Sequence, residues 1–117
     1  MSVHFMTKSA KDLLAQFRDR IQQTDPEGKI TTWEESSAGL FTHKAAQWAN
    51  KAWFKAAIVE DRLRFNIVRP EGKNISVTTY GYYRGHLIET FLNHFDNQFT
   101  QGGASAKPTT NEDVTGS

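Results

Sequence analysis

Arg62-Leu63-Arg64-Phe65-Asn66-Ile67-Val68 is the stretch that decides the fold. Its apolar and polar side chains alternate, so Leu63, Phe65 and Ile67 point one way and Arg62, Arg64 and Asn66 the other. That period belongs to a strand with one face in a core and one face open. The neighbouring segments follow by register. Glu60-Asp61 suits a tight turn, which sets Ile58 against Leu63, Ala56 against Phe65 and Phe54 against Ile67. Each of these pairs is apolar, and a slip of one residue would invert the strand. On the other side, Pro70-Glu71-Gly72 suits a three-residue hairpin loop with Gly72 in the left-handed position. It predicts a third strand in which Ile75, Val77 and Thr79 share the core face.

The same register fixes an outer face. One strand contributes Trp53, Lys55, Ala57 and Val59, the next Arg62, Arg64, Asn66 and Val68, and the third Asn74, Ser76, Thr78 and Tyr80. Upstream, Lys29–Glu35 and Leu40–Trp48 are expected to be strands, with Ser36-Ser37-Ala38-Gly39 as a hairpin turn. A further turn at Asn50-Lys51 would bring Trp48 beside Trp53. Ala45, Trp48, Ala52 and Ala56 also fit a helical stripe, so residues 44–56 can be read as strand or helix; strand is preferred because Phe54–Val59 serves the hairpin.

Two amphipathic helices flank this region. Met6, Ala10, Leu13, Phe17 and Ile21 recur at helical spacing, which predicts a helix near 7–24. Ser9 and Asp12 resemble a capping box, and Asp25-Pro26-Glu27-Gly28 ends the helix. Leu87, Phe91, Phe95 and Phe99 form an i, i+4 row, widened by Ile88 and Leu92, which predicts a second helix near 82–98. The expected architecture is α+β: an N-terminal helix, an antiparallel meander of four to five strands, and a C-terminal helix, with both helices on one sheet face.

With 117 residues the chain has a one-domain length. All 14 aromatic residues fall within residues 1–99, read as the single domain. Residues 100–117 hold no aromatic and a single branched aliphatic, Val114. Such a segment cannot bury enough apolar surface to offset its ordering entropy, so a disordered tail is expected there. The chain has no cysteine, which excludes disulfides, thiolate catalysis and Cys-based metal sites. No signal-like or membrane-spanning apolar run is present, and a cytoplasmic location is expected.

Charge is uneven along the chain. Residues 43–73 carry seven Lys/Arg against three Asp/Glu, whereas both flanks are slightly acidic. Local basicity of this kind points to an anionic partner. Combined with the face above, it singles out Trp48, Trp53, Lys55, Arg62, Arg64 and Tyr80 as candidate binding residues. The leading expectation is a non-catalytic interaction domain that self-associates or docks a protein partner, with the tryptophans at the centre and the cations at the rim. Single-stranded nucleic acid is the alternative for the same face, since aromatic platforms interleaved with cations stack bases and neutralise phosphates.

A small enzyme is the third expectation. His86 and Glu89 lie three apart on the second helix and share a face, next to the Tyr80-Gly81-Tyr82-Tyr83 run. His94, eight residues beyond His86, is about 12 Å further along the axis, too far to share one metal ion. No phosphate-binding glycine loop, nucleophile elbow or glycosidase-type carboxylate pair is present. No catalytic residue, metal site or cofactor is assigned.

Overall fold

The computed structural model describes residues 2–70, 72–73 and 75–106, and the backbone of 114–115. It is an α+β fold in which six antiparallel strands form one sheet and two helices cover one of its faces. The elements are β1 (Ser2–Met6), α1 (Ala10–Gln22), β2 (Trp33–Glu35), β3 (Phe41–His43), β4 (Trp53–Val59), β5 (Arg62–Arg69), α2 (Val77–Phe95) and β6 (Gln101–Ala104). The strand order is β2-β3-β4-β5-β1-β6. A two-residue β7 (Val114–Thr115) runs parallel to Val68–Arg69.

The β4–β5 hairpin has the register expected from sequence: Ile58 opposite Leu63, Ala56 opposite Phe65 and Phe54 opposite Ile67. Leu63, Phe65 and Phe54 are fully buried and Ile67 nearly so. Phe65 is the hub of the core. Its ring meets Phe5, Phe17, Phe41, Phe54 and Phe91, mostly edge to face with centroids 5.7–6.2 Å apart. Such contacts add about 0.5–1.5 kcal/mol per pair beyond area burial.

The other side of β5 differs from the sequence expectation. Gly72 takes the left-handed conformation (φ 75°), but the chain does not return as a strand. The partner of β5 is β1, with Val3 opposite Phe65 and Phe5 opposite Leu63. Val3 and Phe5 are fully buried. The N-terminal segment is thus an interior strand of the sheet, and Met6 belongs to it instead of to α1. Its signal is the alternation Val3-His4-Phe5-Met6, masked by the longer helical stripe that begins at Met6.

Residues 77–80, expected in a strand, form the first turn of α2. Ser76 caps that helix, its hydroxyl accepting the Thr79 N–H at 3.1 Å. The N-terminal extension adds Tyr80 to the buried stripe of Tyr83, Leu87, Thr90, Phe91 and Phe95. A capped 19-residue helix that also buries Tyr80 outweighs the β-branched preference of Val77-Thr78-Thr79. Asn74, placed on the expected third strand, lies outside the described residues.

The buried face of α1 is Ala10, Leu13, Leu14 and Phe17. Ser9 stands at its N-cap without a side-chain cap bond, so the expected capping box does not form. The 25–28 turn does end the helix: Gly28 has φ 74°, and Arg20 donates to its carbonyl at 3.1 Å. Gln101–Ala104, assigned to the tail by composition, pair with β1 as an edge strand. Gly102 and Gly103 suit that place, because a Cβ would come within 3.1 Å of Phe5 and 3.2 Å of His4. The rest of the expected disordered segment, apart from residues 105–106 and 114–115, lies outside the described residues.

Candidate functional site: an open cationic sheet face

Both helices pack into one core cluster with Val3, Phe5, Phe54, Leu63, Phe65 and Ile67. Among the described residues, the opposite face of the sheet carries no helix. Alternation places Trp53, Lys55, Ala57 and Val59 of β4 on that face. Arg62, Arg64, Asn66 and Val68 of β5 join them, with Ser2, His4 and Met6 of β1 and Gln101 and Gly103 of β6. The charged residues contributed by these four strands are all cationic, Lys55, Arg62 and Arg64, with His4 opposite Arg64; on edge strand β2 the exposed Glu34 has the same outward parity.

Each cation has its own setting. Lys55 is exposed. Arg62 is half-buried, and its Nε donates to Asp61 Oδ1 at 3.0 Å in the β4–β5 turn. This hydrogen bond holds the Asp61 carboxyl below its ordinary pKa. Arg64 lies mid-sheet. Its Nε, like Oδ1 of the adjacent outward-facing Asn66, is withdrawn from water with no hydrogen-bond partner. Unpaired buried polar atoms cost about 1–3 kcal/mol each, so the middle of the sheet carries two uncompensated groups.

Of the aromatic residues assigned to this face, the structure keeps one. Trp53 opposes Val68 and is 8% exposed, closed over by Leu40 and Val68 in a small satellite cluster. Trp48 is elsewhere. Residues 44–52 are neither strand nor a continuous helix but a series of turns, including a single helical turn from Ala45 to Ala49. The Thr42 hydroxyl donates to Ala52 O at 2.9 Å and accepts the Asn50 N–H at 3.1 Å, while the Tyr83 hydroxyl donates to Trp48 O. These bonds fix the turns, so the expected Trp48–Trp53 pair does not form. Tyr80 is on the helix side, with its hydroxyl 2.6 Å from Ser105 O and 3.0 Å from Ser2 O. It ties the start of α2 to the sheet edge.

The second candidate region, around His86, is also rearranged. Glu89 is exposed, and no ion pair joins it to His86 among the described residues. His86 instead meets His43, their ring centroids 5.1 Å apart. Tyr82 is stacked between Trp48 at 4.0 Å and His86 at 4.1 Å. His43 is 3% exposed, and burial, followed by the nearby His86, holds its pKa below the ordinary histidine value. Its Nδ1 accepts the Ala45 N–H at 3.0 Å, so the neutral ring carries its proton on Nε2. Nε2 is then a donor, not a metal-ligating lone pair, and it has no partner. Among the described residues no three His, Asp or Glu side chains are grouped to hold a metal ion.

This cluster is invisible to sequence spacing alone because it joins β3 to α2 across the sheet. The i, i+4 relation of Tyr82 and His86 falls inside the expected helix, but their partners His43 and Trp48 come from a distant part of the chain. The chain matches no protein-family model, no curated protein and no solved structure. Among the described residues no helix is long and apolar enough to cross a membrane.

Proposed function

We propose that the protein is a non-catalytic docking domain whose open sheet face binds an acidic segment of a protein partner. The observation that supports this reading is the clustering of cations at the β4–β5 hairpin: Lys55, Arg62 and Arg64 project from adjacent strands with no carboxylate among the outward-facing positions of β4, β5, β1 and β6, and Glu34 stands apart on edge strand β2. A fixed array of one sign steers and orients an oppositely charged partner.

The aromatic content of the face favours protein over single-stranded nucleic acid. Base stacking needs accessible rings. Trp53 is closed over by Leu40 and Val68, and Trp48 and Tyr80 lie off the face.

The test is a fluorescence titration at low salt with a labelled Glu-rich peptide and, in parallel, a labelled oligothymidine. Peptide binding that weakens with salt and falls at least about tenfold in the Lys55→Glu, Arg64→Gln double variant is the expected result. Circular dichroism checks that the variant is folded. Equal peptide affinity for the variant, or tighter binding of the oligonucleotide, would overturn the proposal.

A further inference from the structure

The strand that borders this face on one side is incompletely paired. Strand β3 meets β4 at a single position, Phe41 opposite Phe54. Beyond it, among the described residues, Lys55–Val59 pair with β5 alone. In an antiparallel strand, alternate residues direct their N–H and C=O groups to opposite edges. The edge of β4 away from β5 therefore presents a row of backbone donors and acceptors over these residues, in the middle of the sheet order.

Beside that edge is a cleft on the helix side. It has a volume of ≈ 380 Å³ and is lined by Leu14, Ala15, Lys11, Arg18 and Ile58, among others. Ile58 faces the helix side, like its register partner Leu63, yet Leu63 is fully buried and Ile58 is 55% exposed. An exposed apolar side chain next to a free strand edge is what an added strand would cover.

We infer that the free edge of β4 from Lys55 to Val59 receives an extended segment of a protein partner as an added strand, with apolar and acidic residues in alternation. This rests on the docking function proposed above and names the form its partner takes. The alternation follows from strand geometry. Side chains of one parity on the added strand enter the cleft against Ile58 and Leu14. Those of the other parity emerge on the outer face beside Lys55 and, one strand further, Arg64.

A second copy of this chain fits the edge less well. Antiparallel pairing of two β4 edges about Ala57 would join two outer faces, each bearing Lys55, Arg62 and Arg64, into one sheet of like charge. Lys55 on the edge is also the kind of residue that keeps strand edges from pairing with themselves. Charge complementarity therefore selects an acidic partner strand.

The experiment uses the full chain and two labelled peptides of about ten residues, both made of Val and Glu, one alternating and one with the two residue types in blocks. Backbone amide exchange of residues 55–59 is followed by NMR with and without peptide. The expected result has three parts: at least about tenfold preference for the alternating peptide, slowed exchange along 55–59, and loss of that preference in Ile58→Asp. Ile58 is exposed enough for this substitution to leave the fold intact. Equal binding of both peptides, sensitive to Lys55→Glu but without protection of 55–59, would overturn the added strand while leaving the charged face standing. No binding of either peptide at low salt would overturn both. Protection of 55–59 that grows with protein concentration alone, with dimer in sedimentation velocity, would assign the edge to a second copy and overturn the partner inferred here.

Discussion

Ser76→Ala tests the largest departure from sequence expectation, the start of α2. The Ser76 hydroxyl accepts the Thr79 N–H at 3.1 Å and lies 3.0 Å from the Thr79 hydroxyl. It satisfies one of the donors that every helix start leaves open, and no acidic residue in the first turn supplements it. Removing such a cap costs about 1 kcal/mol, within a range of roughly 0.5–2. For a domain of this size that is a fall in urea midpoint of roughly 0.5–1 M, or about 4–8 °C in Tm. Ser76→Asp keeps an acceptor and adds negative charge near the helix dipole, so it should be neutral or stabilising by a few tenths of a kcal/mol. The decisive variant is Ser76→Val. In a capped helix it costs as much as alanine; in a strand, where β-branched residues are favoured, it would stabilise. A urea midpoint for Ser76→Val at or above that of the parent protein would refute the helical start at Val77.

Two further predictions concern the buried polar groups on the helix side. His43 has its pKa lowered by burial and by His86, so the folded state takes up its proton less readily than the unfolded state. The associated stability is present above about pH 6.5 and is lost as pH falls through the depressed folded value. His43→Asn keeps an acceptor for the Ala45 N–H without titrating, and thermal melts between pH 7 and pH 5 should show a shallower loss of Tm; an unchanged pH slope would locate the effect elsewhere, with His94, also lowered by burial and by Arg20, the next to replace. Thr90→Val removes the acceptor of the fully buried Trp33 indole N–H, a 3.0 Å bond, and should cost about 1–3 kcal/mol in urea denaturation, whereas an unchanged midpoint would show that the bond contributes nothing.

How much of the fold was legible depended on how local its determinants were. The β4–β5 hairpin was readable to the residue, because a two-residue turn and a period-two pattern both act on adjacent chain. The coverage of one sheet face by both helices was readable too, since each carries a single apolar stripe. What failed was the choice of a partner for β5. Ile75, Val77 and Thr79 alternate as well as Val3 and Phe5 do, and they follow a good turn. The decision between them is made at long range, by the aromatic hub around Phe65. A ring at position 5 reaches Phe91 in a parallel stack at 4.1 Å and Phe99 edge-on at 5.1 Å, an anchoring for which the smaller Val77 has no equivalent. The first residues of the expected tail depart from that expectation for a related reason. Composition measures the side chains available for burial, and Gln101–Ala104 are held by backbone pairing to β1, for which absent side chains are an advantage.

The candidate site was legible in its charges and not in its aromatics, and the difference follows from the sizes of the side chains. Lys55, Arg62 and Arg64 are assigned to the outer face by parity alone, and parity is fixed by the hairpin. A tryptophan has a second demand, about 200 Å² of ring to remove from water, and it meets that demand wherever the tertiary structure allows. Trp53 meets it in place, under Leu40 and Val68. Trp48 meets it by leaving the sheet and stacking on Tyr82. With the rings withdrawn, what stays accessible at the hairpin is charge on one side, Ile58 on the other and an unpaired strand edge between them. That edge could not be read in advance, because it depends on β3 parting from β4 after one pair. A partner that binds here must satisfy all three surfaces at once, which is why the order of residues in the test peptide, at fixed composition, is the discriminating variable.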